Sequence, residues 1–131
     1  MSDLASMRKQ YHLRPSPEGL KAWDVHHLIA QSEHLPSVRV PLSQIAELDQ
    51  NYWFDVGGEQ PTGRVIAEHV KLIAASNLAY PIILSQDGRI MDGMHRVLKA
   101  YIEGAEYIDA VQFVQDPAPD FIGVAVDDLP Y

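Results

Sequence analysis

The chain has no cysteine, which excludes disulfides, cysteine-type zinc sites and thiol chemistry. It has no apolar run long enough to span a bilayer, and Met1 to Gln10 lack the apolar stretch of a signal peptide. The expectation is a cytoplasmic protein without membrane contact. Positive charge is also scarce. Ten basic residues stand against 18 acidic ones, a net charge of −8, the reverse of the balance in a non-specific DNA binder. Direct nucleic-acid binding is therefore not expected, although one local cationic pocket is compatible with these totals. There is no Gly-x-Ser-x-Gly elbow and no His-Glu-x-x-His pattern, so neither a serine triad nor a zinc hydrolase can be argued.

What is present reads as one domain. A chain of 131 residues can bury a core unaided, and 47% hydrophobic with 21% charged content is ordinary for a globular protein. Residues 1–35 read as an arm, turn-rich around Pro15-Ser16-Pro17-Glu18-Gly19, with one short helix in which Asp24 caps a face of Val25, Leu28 and Ile29. Val38-Arg39-Val40 alternates as a strand, and Ser43 is placed to cap a helical turn reaching Leu48. The aromatic cluster Tyr52-Trp53-Phe54 and the loop Gly57-Gly58-Glu59-Gln60-Pro61 follow. Over 64–76, Ile66, Val70 and Ile73 recur at helical spacing behind Thr62 or Gly63, with Val65 and Leu72 widening the face. Tyr80 to Leu84 is an apolar strand, Gln86-Asp87-Gly88-Arg89 a hairpin turn, and Ile90-Met91 the returning strand. Met94, Val97, Leu98, Tyr101 and Ile102 form an apolar stripe on a helix stopped at Gly104, and Tyr107 to Val114 is the last strand. This order predicts a compact α+β domain over 36–114, a small mixed sheet with helices, and an acidic, irregular tail over 115–131.

The chemistry concentrates at the strand-to-helix corner Asp92-Gly93-Met94-His95-Arg96. A helix N-terminus presents unpaired N–H groups and the positive end of its dipole, which together attract anions. With Asp92 as N-cap, His95 falls in the first turn, Arg96 offers a planar fork for phosphate oxygens, and Gly93 lets backbone approach an anion. The plain alternative is a corner where Gly93 turns the chain, Asp92 caps and both basic side chains are solvated. Asp92 also has a reading as ligand to a magnesium ion bridging phosphates, and Met94 falls on the apolar stripe. Arg64 opens the preceding helix, where a cation does not favour the dipole, so it serves either an outside anion or solvent. Thr62 is either a cap or a phosphate contact. His26, His27, His34 and His69 lack metal-ligand spacing and read as surface histidines.

The ordered pieces Val40-Pro41-Leu42-Ser43-Gln44-Ile45, Arg64-Val65 at a helix start, Tyr80-Pro81-Ile82-Ile83-Leu84, Asp87-Gly88-Arg89-Ile90 and the Asp92–Arg96 box resemble the ParB/sulfiredoxin-like superfamily. The resemblance covers roughly residues 36–114. It implies a nucleotide pocket in which Gly93, Met94, His95 and Arg96 cradle phosphates, as they do for ATP in sulfiredoxins, CTP in ParB proteins and ADP in related free-serine kinases. It also implies a phosphate contact for Arg64. The serine kinases' glutamate just after the first strand points to Glu47 as general base, with Asp49 and Glu59 as the other nearby carboxylates. The cofactor so implied is a nucleoside di- or triphosphate, with Mg2+ as companion.

Two family activities are not implied. Sulfiredoxins carry a catalytic cysteine where this chain has Met94. ParB proteins continue into a helix-turn-helix DNA reader, whereas about 17 residues follow the last predicted strand here. Met94 and His95 also replace the Glu and Arg of the ParB box, and no metal–carboxylate cluster supports nuclease chemistry. The expected function is nucleotide binding with phosphotransfer or hydrolysis. The alternative is a non-catalytic, nucleotide-responsive module that dimerises or docks on a protein partner, with Tyr52, Trp53 and Phe54 as contact residues.

Overall fold

The computed structural model describes residues 10–54 and 58–131. At its centre is a four-stranded mixed sheet in the order β3 (Val38–Pro41), β6 (Tyr107–Gln112), β4 (Ile82–Leu84), β5 (Ile90–Asp92). β3 and β5 run antiparallel to their neighbours, and β4 runs parallel to β6. That parallel pair requires a crossover, which β5 and helix α3 (Met94–Ile102) supply.

Side chains alternate between the two faces of these strands. Ile82, Leu84, Ile90, Ile108 and Ala110 face one core, shared with Met94, Val97 and Ala100 of α3. Ile83, Met91, Val111 and Phe113 face a second core with Trp23 of β2 (Lys21–Asp24) and Leu28 of α1 (Val25–Ser32). Coverage on both faces explains why β4 is a continuous apolar run. Asp24 caps α1 as expected, accepting from the His26 N–H. Helix α2 (Gly63–Ala75) begins at Thr62, whose Oγ1 accepts from the Val65 N–H at 3.2 Å.

The expected arm and tail are joined to each other. β1 (Tyr11–Arg14) and β2 form a hairpin, and β7 (Phe121–Ile122) pairs with β2 to complete a second sheet in the order β1-β2-β7. The Trp23 indole N–H donates to the Pro117 carbonyl at 2.8 Å, the Tyr11 hydroxyl donates to the Pro130 carbonyl, and Leu129 is buried. The segment 115–131 thus lies against the N-terminal hairpin, with β7 and a 3-10 turn at Val126–Asp128 as its regular structure. Residues 1–9 of the expected arm and Gly57 of the expected loop lie outside the described residues.

Two further expectations change. The turn attributed to a Ser43 cap is a pair of short 3-10 turns, Leu42–Gln44 and Ala46–Asp49, without a side-chain cap. The stripe on α3 buries Met94, Val97 and Ala100, while Tyr101 and Ile102 project into solvent at 66% and 70% exposure. Helix α2 buries no residue fully, and Ile66, Val70 and Leu72 are exposed. Among the described residues, no helix is long and apolar enough to cross a membrane.

Candidate functional site

The box sits where β5 runs into α3. Gly93, not Asp92, is the N-cap, at a φ of 113° in the left-handed region. A Cβ at this position would lie 2.6 Å from Ile82 Cγ2 and 3.1 Å from Arg96 Nη2, so close packing alone demands glycine here. No side chain caps the first turn of α3, which leaves its N–H groups available at the positive end of the dipole. Met94 is buried in the core.

Asp92 has a different partner from the one expected. Its Oδ2 accepts from Arg96 Nη2 at 2.7 Å. Arg96 Nη1 donates to the Tyr80 carbonyl at 3.0 Å and the Pro81 carbonyl at 2.7 Å. The guanidinium is therefore committed inside the protein, where it braces the start of α3 against the entry to β4. It is not an open fork facing solvent.

His95 is the next residue back along the helix, about 100° around its axis, and enters a separate network. Its Nε2 lies 2.9 Å from His69 Nδ1, and His69 Nε2 lies 2.6 Å from Glu59 Oε1. The Trp53 indole covers both imidazoles, with ring centroids 3.8 Å from His69 and 4.8 Å from His95 at interplanar angles of 18° and 24°. A hydrogen bond from the Glu59 N–H to the Trp53 carbonyl at 2.9 Å holds aromatic and carboxylate together. The two histidines meet because α2 and α3 lie side by side in the same direction. Further along, Lys99 Nζ donates to the Ala74 and Ser76 carbonyls at the end of α2, at 3.1 and 2.7 Å.

These partners set the tautomers. A carboxylate only accepts, so His69 carries its proton on Nε2 and offers a lone pair at Nδ1. His95 then donates from Nε2, and its Nδ1 keeps a lone pair with no hydrogen-bond partner among the described residues. Burial pushes the His95 imidazole down to about 4, with His69 and Arg96 acting in the same direction and Glu59 opposing them. His95 is thus neutral at pH 7, with the Nδ1 lone pair unprotonated.

The remaining expected residues are dispersed. Thr62 is occupied as the cap of α2. Arg64, in the first turn of that helix, is exposed and makes no ion pair among the described residues. Glu47, expected as general base, is only 2% exposed. Its Oε2 accepts from the Ile90 N–H at 2.7 Å, with Arg89 Nε 3.7 Å away, so it anchors the start of β5 and does not stand at a pocket mouth. Its Oε1 is buried without a partner. Burial and the neighbouring Glu47 push the Tyr52 hydroxyl up to about 12. Among the described residues, no group of three His, Asp or Glu side chains is disposed to hold a metal.

His69 is not the surface histidine its spacing suggested. The available signal was its place at the middle of the α2 apolar stripe, with Val65 and Ile66 before it and Leu72 and Ile73 after it. The coupling of His69 to Glu59 and Trp53 had no sequence signature. A scan against protein-family models and searches of curated proteins and solved structures found no match to the chain.

Proposed function

We propose that the chain binds the phosphates of a nucleoside di- or triphosphate at the start of α3, and that His95 acts there as general base in hydrolysis or phosphotransfer. The observation that carries this reading is the Glu59–His69–His95 relay, which fixes a neutral imidazole beside an uncapped helix N-terminus. Support also comes from the ParB/sulfiredoxin-like order of strand, helix, strand, turn, strand and box. In the proposed step, Nδ1 of His95 takes the proton of a water or hydroxyl as its oxygen attacks the terminal phosphorus. The bond to the bridging oxygen breaks, and the shortened nucleotide leaves. The imidazolium formed is favoured by the Glu59 carboxylate, which raises the proton affinity of His95 across the His69 bridge.

Calorimetric titration with ATP, ADP, CTP and GTP in the presence of magnesium tests the pocket. A flat response to all four removes the proposal. Where binding occurs, His95→Ala is expected to lower turnover by about 10²–10⁴-fold, the usual contribution of a general base. Undiminished turnover in that variant would remove His95 as the base.

The second reading is a nucleotide-responsive dimer. It is favoured by the apolar side chains that α2 and the end of α3 expose, with Val70 57% and Ile102 70% accessible. Light scattering with and without nucleotide distinguishes it: mass doubling without turnover supports the dimer.

A further inference from the structure

About 100° around α3 from His95, the Asp92–Arg96 pair lines a cavity of roughly 580 Å3 that also touches α1, the approach to β3 and the end of α2. Its walls are apolar, formed by Ile29, Leu35, Pro81, Ile83 and Val111. That size and a mostly apolar lining with a few polar groups are the marks of a small-molecule site.

The charges at the cavity decide the sign of the ligand. Arg96 has given Nη1 to two carbonyls and Nη2 to Asp92, so its charge is already matched. Asp92 accepts through Oδ2, and its Oδ1 has no partner among the described residues. Glu33, the exposed C-cap of α1, also lines the cavity and makes no ion pair among the described residues. Two carboxylates, Asp92 and Glu33, against the one guanidinium of Arg96, already paired with Asp92, leave the lining net negative. An anion would be repelled, whereas a cationic donor finds free oxygens.

We propose that this cavity binds a small hydrophobic molecule bearing a protonated amine. The apolar body lies against Leu35, Ile83 and Val111, and the ammonium is directed to Asp92 Oδ1 and Glu33. The proposal is independent of the phosphate chemistry assigned to His95, because it uses none of the relay residues.

The test uses three probes with one ring system and different heads: tryptamine, tryptophol and indole-3-propionate. Each is titrated into the 15N-labelled full chain and followed by amide shifts. Tryptamine is expected to shift Ile83, Val111 and Asn77 and to bind at least tenfold more tightly than indole-3-propionate, a difference of about 1.4 kcal/mol. Glu33→Gln should narrow that difference. Ala75→Phe, at an exposed position on the cavity rim, should abolish the shifts while leaving spectral dispersion unchanged. Equal affinity for the cationic and anionic probes overturns the proposal. So do shifts mapping elsewhere, no response to any probe up to its solubility, or unaltered tryptamine binding in Ala75→Phe.

Discussion

Arg96 provides the sharpest test, because an anion-binding arginine and a bracing arginine behave differently when removed. Arg96→Ala deletes three donations at once, to the Tyr80 carbonyl, the Pro81 carbonyl and Asp92 Oδ2. Truncating one member of a buried pair costs about 3–5 kcal/mol, chiefly by leaving the other charge unpaired. The side chains of Arg96 and Asp92 retain 15% and 14% exposure, so water recovers part of that loss and about 3 kcal/mol is expected. With a urea dependence of about 2 kcal/mol per molar, the unfolding midpoint should fall by about 1.5 M at unchanged slope. Arg96→Lys should recover less than half, because one ammonium cannot reproduce a planar fork reaching three acceptors.

Urea titration followed by tryptophan fluorescence measures these midpoints, and the cycle through Asp92→Asn measures the coupling. A loss below about 1 kcal/mol for Arg96→Ala would refute the brace. Additivity of the two single changes within about 0.5 kcal/mol would show that the ion pair contributes nothing as a pair. If Arg96 instead served a phosphate, nucleotide affinity would fall with the midpoint in place.

Gly93→Ala should destabilise by at least about 2 kcal/mol, since a left-handed φ and a contact with Ile82 act together. Gly104→Ala, at φ 77° with open space around it, should cost only about 1 kcal/mol; equal losses in urea titration would contradict the close approach at Gly93. Burial pushes both His95 and His12 down to about 4, so the unfolded chain takes protons more readily than the folded one. The stability these groups contribute is fully present above their ordinary value of about 6.5 and is lost as pH falls toward 4, by at most about 1.4 kcal/mol per pH unit for each. Identical midpoints at pH 7 and pH 5 would remove this burial effect, and Trp53→Ala should move the His95 NMR titration upward. Glu47→Gln keeps an acceptor for the Ile90 N–H and should be near neutral in stability and in any turnover. Glu47→Ala orphans that N–H and should cost about 2 kcal/mol; turnover lost in the glutamine variant while the fold persists would restore Glu47 as a base.

The elements beside the box are legible because short-range rules define them. An Asp-Gly turn joins β4 to β5, helical spacing marks α3, and Gly104 at φ 77° ends it. β7 is not legible in this way. It is two residues long among prolines, and it exists because Phe121 and Ile122 meet Ala22 and Lys21 at the far end of the chain. Periodicity places Arg96 in the first turn of α3 but does not say that the carbonyls of Tyr80 and Pro81 face it. It places His69 on a helix but does not say that α3 runs alongside. Side-chain chemistry was readable at the level of residue type, and partner choice was not, because partners are set by helix and loop packing.

The division of the box has a consequence for phosphate binding. His95 and Arg96 are consecutive in α3, and their side chains serve different networks. A phosphate at the helix start would meet N–H groups and the His95 lone pair but not the Arg96 fork. The cationic help left there is about half a charge from the α3 N-terminus. That is little against a triphosphate in a chain of net charge −8. Magnesium accompanying the nucleotide would then supply most of the neutralisation. Nucleotide affinity is therefore expected to fall at least tenfold when magnesium is chelated with EDTA, a change of about 1.4 kcal/mol. It is also expected to weaken with added salt, as exposed charges are screened. Equal affinity with and without magnesium would mean that protein cations suffice, and the assignment of Arg96 to the brace alone would then have to be withdrawn.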